Sequence, residues 1–106
     1  MTRRLRLPAP ALAALRRVAA LRREPVWLVG GAIRDAVLGL PVVDLDLACA
    51  DARGLAARIA RAFKGSLVTL DAENAVYRLV LPPSRERAAL KQIDVAEIQG
   101  RDIQED

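Results

Sequence analysis

From Pro10 to Leu21 the apolar residues Leu12, Leu15, Val18 and Leu21 recur at helical spacing, with proline in the first turn, where its missing N–H has no helical partner to lose. This predicts an amphipathic helix over 10–21. After Pro25, Val26-Trp27-Leu28-Val29 is a short continuous apolar run and reads as a buried strand. Gly30-Gly31 interrupts it. A helical pattern follows from Ala32 to Leu38 and stops at Gly39, with Pro41 two residues on. Val42 to Ala48 then alternates as a strand does, Val43, Leu45 and Leu47 on one face and Asp44 and Asp46 on the other. Asp51 is placed to cap a second long helix, which carries Leu55, Ile59 and Phe63 on one stripe and ends at Gly65. Ser66–Leu70, Ala75–Leu81 and Lys91–Ile98 read as three further strands. The first two are joined by the polar turn Asp71-Ala72-Glu73-Asn74, the last two by Pro82-Pro83-Ser84 and a charged link, as a hairpin with a long exposed loop.

Composition narrows the chemistry. A chain of 106 residues, 53% hydrophobic and 28% charged, has material for one core. With only 3% aromatic residues that core is built from Leu, Val, Ile and Ala. The absence of histidine excludes Ser-His and Cys-His dyads and His-ligated zinc, and a single cysteine excludes an internal disulfide or a thiolate cluster. A metal held by side chains must then sit on carboxylates, which selects hard cations such as Mg²⁺. The net charge of +4 leans toward a polyanionic partner or acidic ligand. Arg3, Arg4, Arg6, Arg16, Arg17, Arg22 and Arg23 all precede the first acidic residue, Glu24. That bias is shared by mitochondrial transit peptides, but the stretch lacks serine and the strand that follows needs something packed on it. A basic first helix belonging to the domain is the better reading. The uncharged stretch Leu7–Leu15 is far short of the ~20 residues needed to span a bilayer, so no membrane role is expected. Cys49 in an apolar context fits a reducing compartment, and a cytoplasmic location is expected.

Three places are equipped for chemistry. At Leu28-Val29-Gly30-Gly31-Ala32-Ile33-Arg34-Asp35 a strand runs through two glycines into a helix, leaving backbone N–H groups for an anion and Arg34 for a charge-assisted contact. A tight turn is the plain alternative. The segment is neither a Walker A loop nor a G-x-G-x-x-G fingerprint, and Asp44 and Asp46 come too early for the ribose-binding acid of a dinucleotide fold. Asp44-Leu45-Asp46 puts two carboxylates about 7 Å apart on one strand face, which is costly unless that face is wet or binds a cation. Asp94 lies opposite the apolar pair Ile93 and Val95, while Glu97 falls on their side. If its strand lies beside the Asp44–Asp46 strand, the three carboxylates form one patch. Such a patch near a phosphate-binding turn suits a Mg²⁺-nucleotide site.

Val29-Gly30-Gly31-Ala32-Ile33-Arg34-Asp35, Leu38-Gly39, Pro41 and Asp44-Leu45-Asp46-Leu47-Ala48 together closely resemble the N-terminal head of class II tRNA nucleotidyltransferases and bacterial poly(A) polymerases. The resemblance covers about Val26 to Asp106. It implies an α/β, polymerase-β-like nucleotidyltransferase fold, a mixed sheet flanked by helices, and addition of nucleotides to an RNA 3′ end without a template. It further implies Asp44 and Asp46 as Mg²⁺ ligands, Asp94 as the third catalytic carboxylate helping to activate the RNA 3′-hydroxyl, and Gly30, Gly31 and Arg34 as contacts to the triphosphate of ATP or CTP. The RNA is expected to be a tRNA 3′ end first, with CCA-, CC-, A- or poly(A) addition all open.

Two segments are expected: a basic helix and lead-in over 1–24, and a partial catalytic head over 25–106. The acidic run Ile103-Gln104-Glu105-Asp106 reads as a helix start. It resembles the stretch that leads, in the family, into an R-R-D-F motif contacting the nucleotide sugar and base. The expectation is therefore a truncated head, inactive or nearly so as it stands. The alternative is a non-catalytic nucleotide- or RNA-binding module with the same fold. That module would take phosphate contacts from Arg3, Arg4, Arg6, Arg16, Arg17, Arg85 and Arg87. It would lack aromatic stacking, because Trp27, Phe63 and Tyr77 are all expected in the core.

Overall fold

A computed structural model of the protein describes residues 9–30, 38, 42–83 and 90–98. Helix α1 spans Ala9–Leu21 and is followed by β1, Val26–Val29, and β2, Asp44–Cys49. Helix α2, Ala52–Phe63, leads to β3, Ser66–Asp71, β4, Val76–Val80, and β5, Gln92–Glu97. The helix expected over 32–38 lies outside the described residues except for Leu38, which is exposed. So do Gly31, Arg34, the charged link with Arg85 and Arg87 expected to form an exposed loop, the three N-terminal arginines and the acidic run at 103–106.

The five strands form one sheet in the order β1-β2-β5-β4-β3. Only β2 and β5 run parallel; every other neighbouring pair is antiparallel. Strand periodicity divides the residues between two faces. On the inner face Leu45, Leu47, Cys49, Tyr77, Leu79, Ile93 and Val95 are buried in one cluster with Leu55, Ala56, Ile59 and Phe63 of α2. Helix α1 enters that cluster through Ala11, Ala14 and Val18. The expected leucine stripe is thus rotated: Leu12 is exposed, and Leu15 and Leu21 only flank the core. Small side chains face inward on the helix that packs against α2, because alanine permits a close approach that leucine would block.

Helix α2 is bounded as its sequence predicts, with one change. Asp51 caps the start, Oδ1 accepting from the Gly54 N–H at 3.0 Å. At the other end it is Lys64, not Gly65, that takes the left-handed conformation (φ 55°), while the Gly65 N–H closes the end onto the Ala60 carbonyl. Gly65 is required for a different reason. A Cβ there would lie 2.9 Å from the Val80 carbonyl oxygen of β4. Arg17, a candidate phosphate contact in the binding-module reading, is engaged here instead. Its guanidinium lies 4.0 Å from the Phe63 ring centre and donates to the Ala62 carbonyl, tying α1 to the end of α2.

The edges of the sheet also depart from expectation. Strand β1 is an antiparallel edge strand rather than a buried one. Val26 and Leu28 lean on the core, so period-2 alternation turns Trp27 to the other face, where it is 42% exposed. Phe63 and Tyr77 are buried as expected. Val43 is exposed because regular pairing begins only at Asp44; its carbonyl accepts from the Lys91 N–H at 2.8 Å. On the opposite edge β3 leaves Leu67, Val68 and Leu70 exposed. The β3–β4 turn is held by Asp71, which accepts from the Asn74 side-chain amide and backbone N–H. Those bonds, the side-chain one first, lower the Asp71 pKa. Their support is therefore present above the ordinary carboxylate pKa and fades as pH falls through the lowered one.

Cys49 is fully buried at the end of β2, and burial, reinforced by the Glu24 carboxylate, pushes its thiol pKa up to about 11. A buried neutral thiol is a poor nucleophile. At pH 8 a thiol reagent should label the native protein only at the rate of unfolding, and label the denatured protein at once. Rapid labelling of the native protein would contradict this burial.

Candidate functional site

The outer face of the sheet carries the polar residues. Parallel pairing of β2 and β5 sets Asp44 beside Gln92 and Asp46 beside Asp94. Antiparallel pairing of β4 and β5 sets Arg78 beside Asp94. Three adjacent strands therefore bring Asp44, Asp46, Asp94, Gln92 and Arg78 to one patch, since residues paired across strands share a face about 5 Å apart. Asp44 is exposed; Asp46 and Asp94 are partly buried. Both Asp residues of β2 are fixed by what lies beneath them, because Leu45 and Leu47, the residues between and beyond them, are locked in the core.

Gly30 completes the patch from the end of β1. Val29 pairs with Asp46, and Gly30 follows with φ +75°. A Cβ built on Gly30 would overlap Asp46 Oδ2 and come within 3.0 Å of its Cγ. Glycine is needed here twice over, for the left-handed backbone and for the carboxylate that lies against it. Of the phosphate-contact candidates only Gly30 can be placed; Gly31 and Arg34 lie outside the described residues.

Arg78 went unread in the sequence. Its Nε donates to Asp94 Oδ1 at 2.9 Å and its Nη2 to Asp94 Oδ2 at 3.0 Å, a bidentate fork. With the Gln92 amide turned oxygen-inward, that oxygen accepts from both nitrogens at 3.2 Å. The Arg78 pKa is raised, first by the hydrogen bonds to Asp94 and its charge, then more weakly by Asp44 and Asp46, so it stays a cation. The only signal in the sequence was a lone charge inside an apolar strand, Val76-Tyr77-Arg78-Leu79-Val80. Without the strand order nothing tied it to Asp94.

The patch suits a hard cation in one specific respect. Mg²⁺ is commonly held by one or two carboxylates, with phosphate oxygens and water completing the shell. Asp44 and Asp46, on one rigid face, supply such a pair. Among the described residues no three acidic or thiol side chains gather into a complete ligand set, and Asp94 gives both oxygens to Arg78. Among the described residues, too, no helix is long and apolar enough to cross a membrane.

Comparison with solved structures finds the same fold. A tRNA-processing enzyme in an apo form superimposes with a TM-score of 0.70 at 22% identity over 94% of this chain. A tRNA-processing enzyme complex gives 0.60 at 24% identity over 78%. The chain spans only 26% and 21% of those two chains, respectively. No curated protein matches. The mixed sheet with its packed helices is the polymerase-β-like arrangement that the resemblance implies. The model of the poly A polymerase head domain matches residues 26–106, from the first residue of β1 onward, and the chain belongs to that family.

Proposed function

We propose that this chain is the metal- and triphosphate-binding head of an RNA 3′-end nucleotidyltransferase, acting on a tRNA 3′ end or as a poly(A) polymerase. The single observation that carries the reading is the β2–β5 register. It sets Asp46 beside Asp94 with Asp44 on the same face, and the β1–β2 pairing adds Gly30 against the Asp46 carboxylate. In the reaction the RNA 3′-oxygen attacks the α-phosphorus of ATP or CTP. The new P–O bond forms as the bond to the bridging oxygen breaks and pyrophosphate leaves. Asp44 and Asp46 would hold Mg²⁺, which when bound would supply charge neutralisation at the phosphates and a lowered pKa for the attacking hydroxyl. Asp94 lies one strand away, where its carboxylate accepts a hydrogen bond from that hydroxyl and orients it. The N–H groups at the Gly30-Gly31 turn and the Arg34 guanidinium bind the triphosphate.

A non-catalytic binding module is the second reading, and the fork that occupies both Asp94 oxygens is the observation that favours it. One experiment separates the two. Trp27 is the only tryptophan and lies on the face that carries the carboxylates, so its fluorescence reports on ligands there. ATP titrated into the chain should perturb it in Mg²⁺ and not in EDTA. RNA binding that weakens steeply with salt, with no metal-dependent ATP binding, would sink the nucleotidyltransferase reading in favour of the module.

A further inference from the structure

A cluster of carboxylates on one sheet face repels itself, and something must offset that charge before any metal arrives. At Asp94 a guanidinium does so. Arg78 faces Asp94 from the paired position on β4 and holds both of its oxygens, with the Gln92 amide oxygen as a third acceptor. The backbone pairing fixes the geometry on both sides, since Leu79 and Tyr77 flank Arg78 in the core and Ile93 and Val95 flank Asp94. Each carboxylate oxygen keeps a second lone pair. Asp94 can therefore be held by the fork and still accept a hydrogen bond on its outer side.

We propose that Arg78 is a positioning residue of the site, a resident counter-cation. It fixes the Asp94 carboxylate in the patch and holds the affinity of the Asp44–Asp46 pair for a divalent cation below that of an uncompensated cluster. The consequence is that the metal binds well only when a triphosphate brings additional ligands, which couples metal binding to nucleotide binding. This rests on the reading that Asp44 and Asp46 hold the metal.

The test is Mn²⁺ alone, titrated into the chain and followed by electron paramagnetic resonance, with circular dichroism as the control for folding. Arg78→Gln should bind Mn²⁺ about 3- to 10-fold tighter than wild type, because a unit positive charge on the same face, two strands from the Asp44–Asp46 pair, is removed. Arg78→Lys keeps the charge and should stay within about twofold. A merely structural role for Arg78 predicts the opposite sign, a looser site and weaker binding. Unchanged or weaker Mn²⁺ binding in a folded Arg78→Gln chain overturns the proposal. Should that variant not fold, Asp94→Asn decides: it turns an unpaired Arg78 loose beside two carboxylates and should weaken Mn²⁺ binding at least about tenfold, and unchanged binding overturns the proposal. Wild-type Mn²⁺ binding that is indifferent to Asp44→Asn would instead overturn the metal-site reading itself, whatever Arg78 does.

Discussion

Asparagine in place of Asp44 or Asp46 should weaken Mg²⁺-dependent ATP binding by about 100-fold or more, a loss of roughly 2.7 kcal/mol, and the Asp44 variant should melt no lower than the wild type. The two halves of this expectation have one cause. Asn keeps the size and the strand propensity of the residue it replaces and removes only the negative charge, which is what a hard cation is bound by. In the metal-free chain that same charge is a burden. Asp44 is exposed on a strand, next to Asp46 along the face and diagonal to Asp94 across it. Removing it takes away a like charge beside Asp46 and diagonal to Asp94. Stability should move by no more than about 0.5 kcal/mol, upward if at all. Calorimetric titration of ATP at saturating Mg²⁺, paired with a thermal melt, measures both. ATP affinity retained within a few-fold in both variants would remove these carboxylates from the site. A large fall in melting temperature for Asp44→Asn would make it a structural residue instead.

The face on which the carboxylates lie was legible from the chain alone, and the reason is physical. Leu45 and Leu47 can go only inward, so Asp44 and Asp46 can go only outward; the same holds for Asp94 between Ile93 and Val95. The helix bounds followed equally from local chemistry, since a capping aspartate acts within a few residues of itself. What depends on strand order was not legible. Whether β1 is an edge or a centre decides the burial of Trp27, and nothing in Val26-Trp27-Leu28-Val29 encodes its neighbour. Arg78 is the sharper case, because its significance lies wholly in a partner 16 residues away on an adjacent strand. The inner face of α1 is not legible from hydrophobicity, which ranks leucine above alanine, whereas at a close helix contact size outranks hydrophobicity.

Gly30→Val should cost both the fold and the site, and a second substitution can tell why. At φ +75° a β-branched residue is strained by about 1–2 kcal/mol whatever surrounds it. The surroundings add more, since the new Cβ overlaps the Asp46 carboxylate. Either the backbone at the end of β1 leaves its left-handed conformation, which shifts the turn that follows, or Asp46 swings off the position it shares with Asp44. Each outcome breaks the relation between turn and carboxylate. Metal-dependent ATP binding should therefore fall as far as in Asp46→Asn, with a stability loss of about 2–3 kcal/mol, or a drop in melting temperature of roughly 10 °C or more for a domain this size. Combining Gly30→Val with Asp46→Ala removes the obstructing carboxylate and leaves the backbone strain with a close contact to the position-46 Cβ, 3.1 Å away. The double variant should recover about 1 kcal/mol relative to the sum of the single changes, the coupling expected of residues in direct contact. Strict additivity would mean that glycine is required at this position for its φ alone. Coupling of the expected size would mean that the end of β1 is shaped around the Asp46 carboxylate, so that the turn and the strand acid form one unit and neither can be altered without loss of the other.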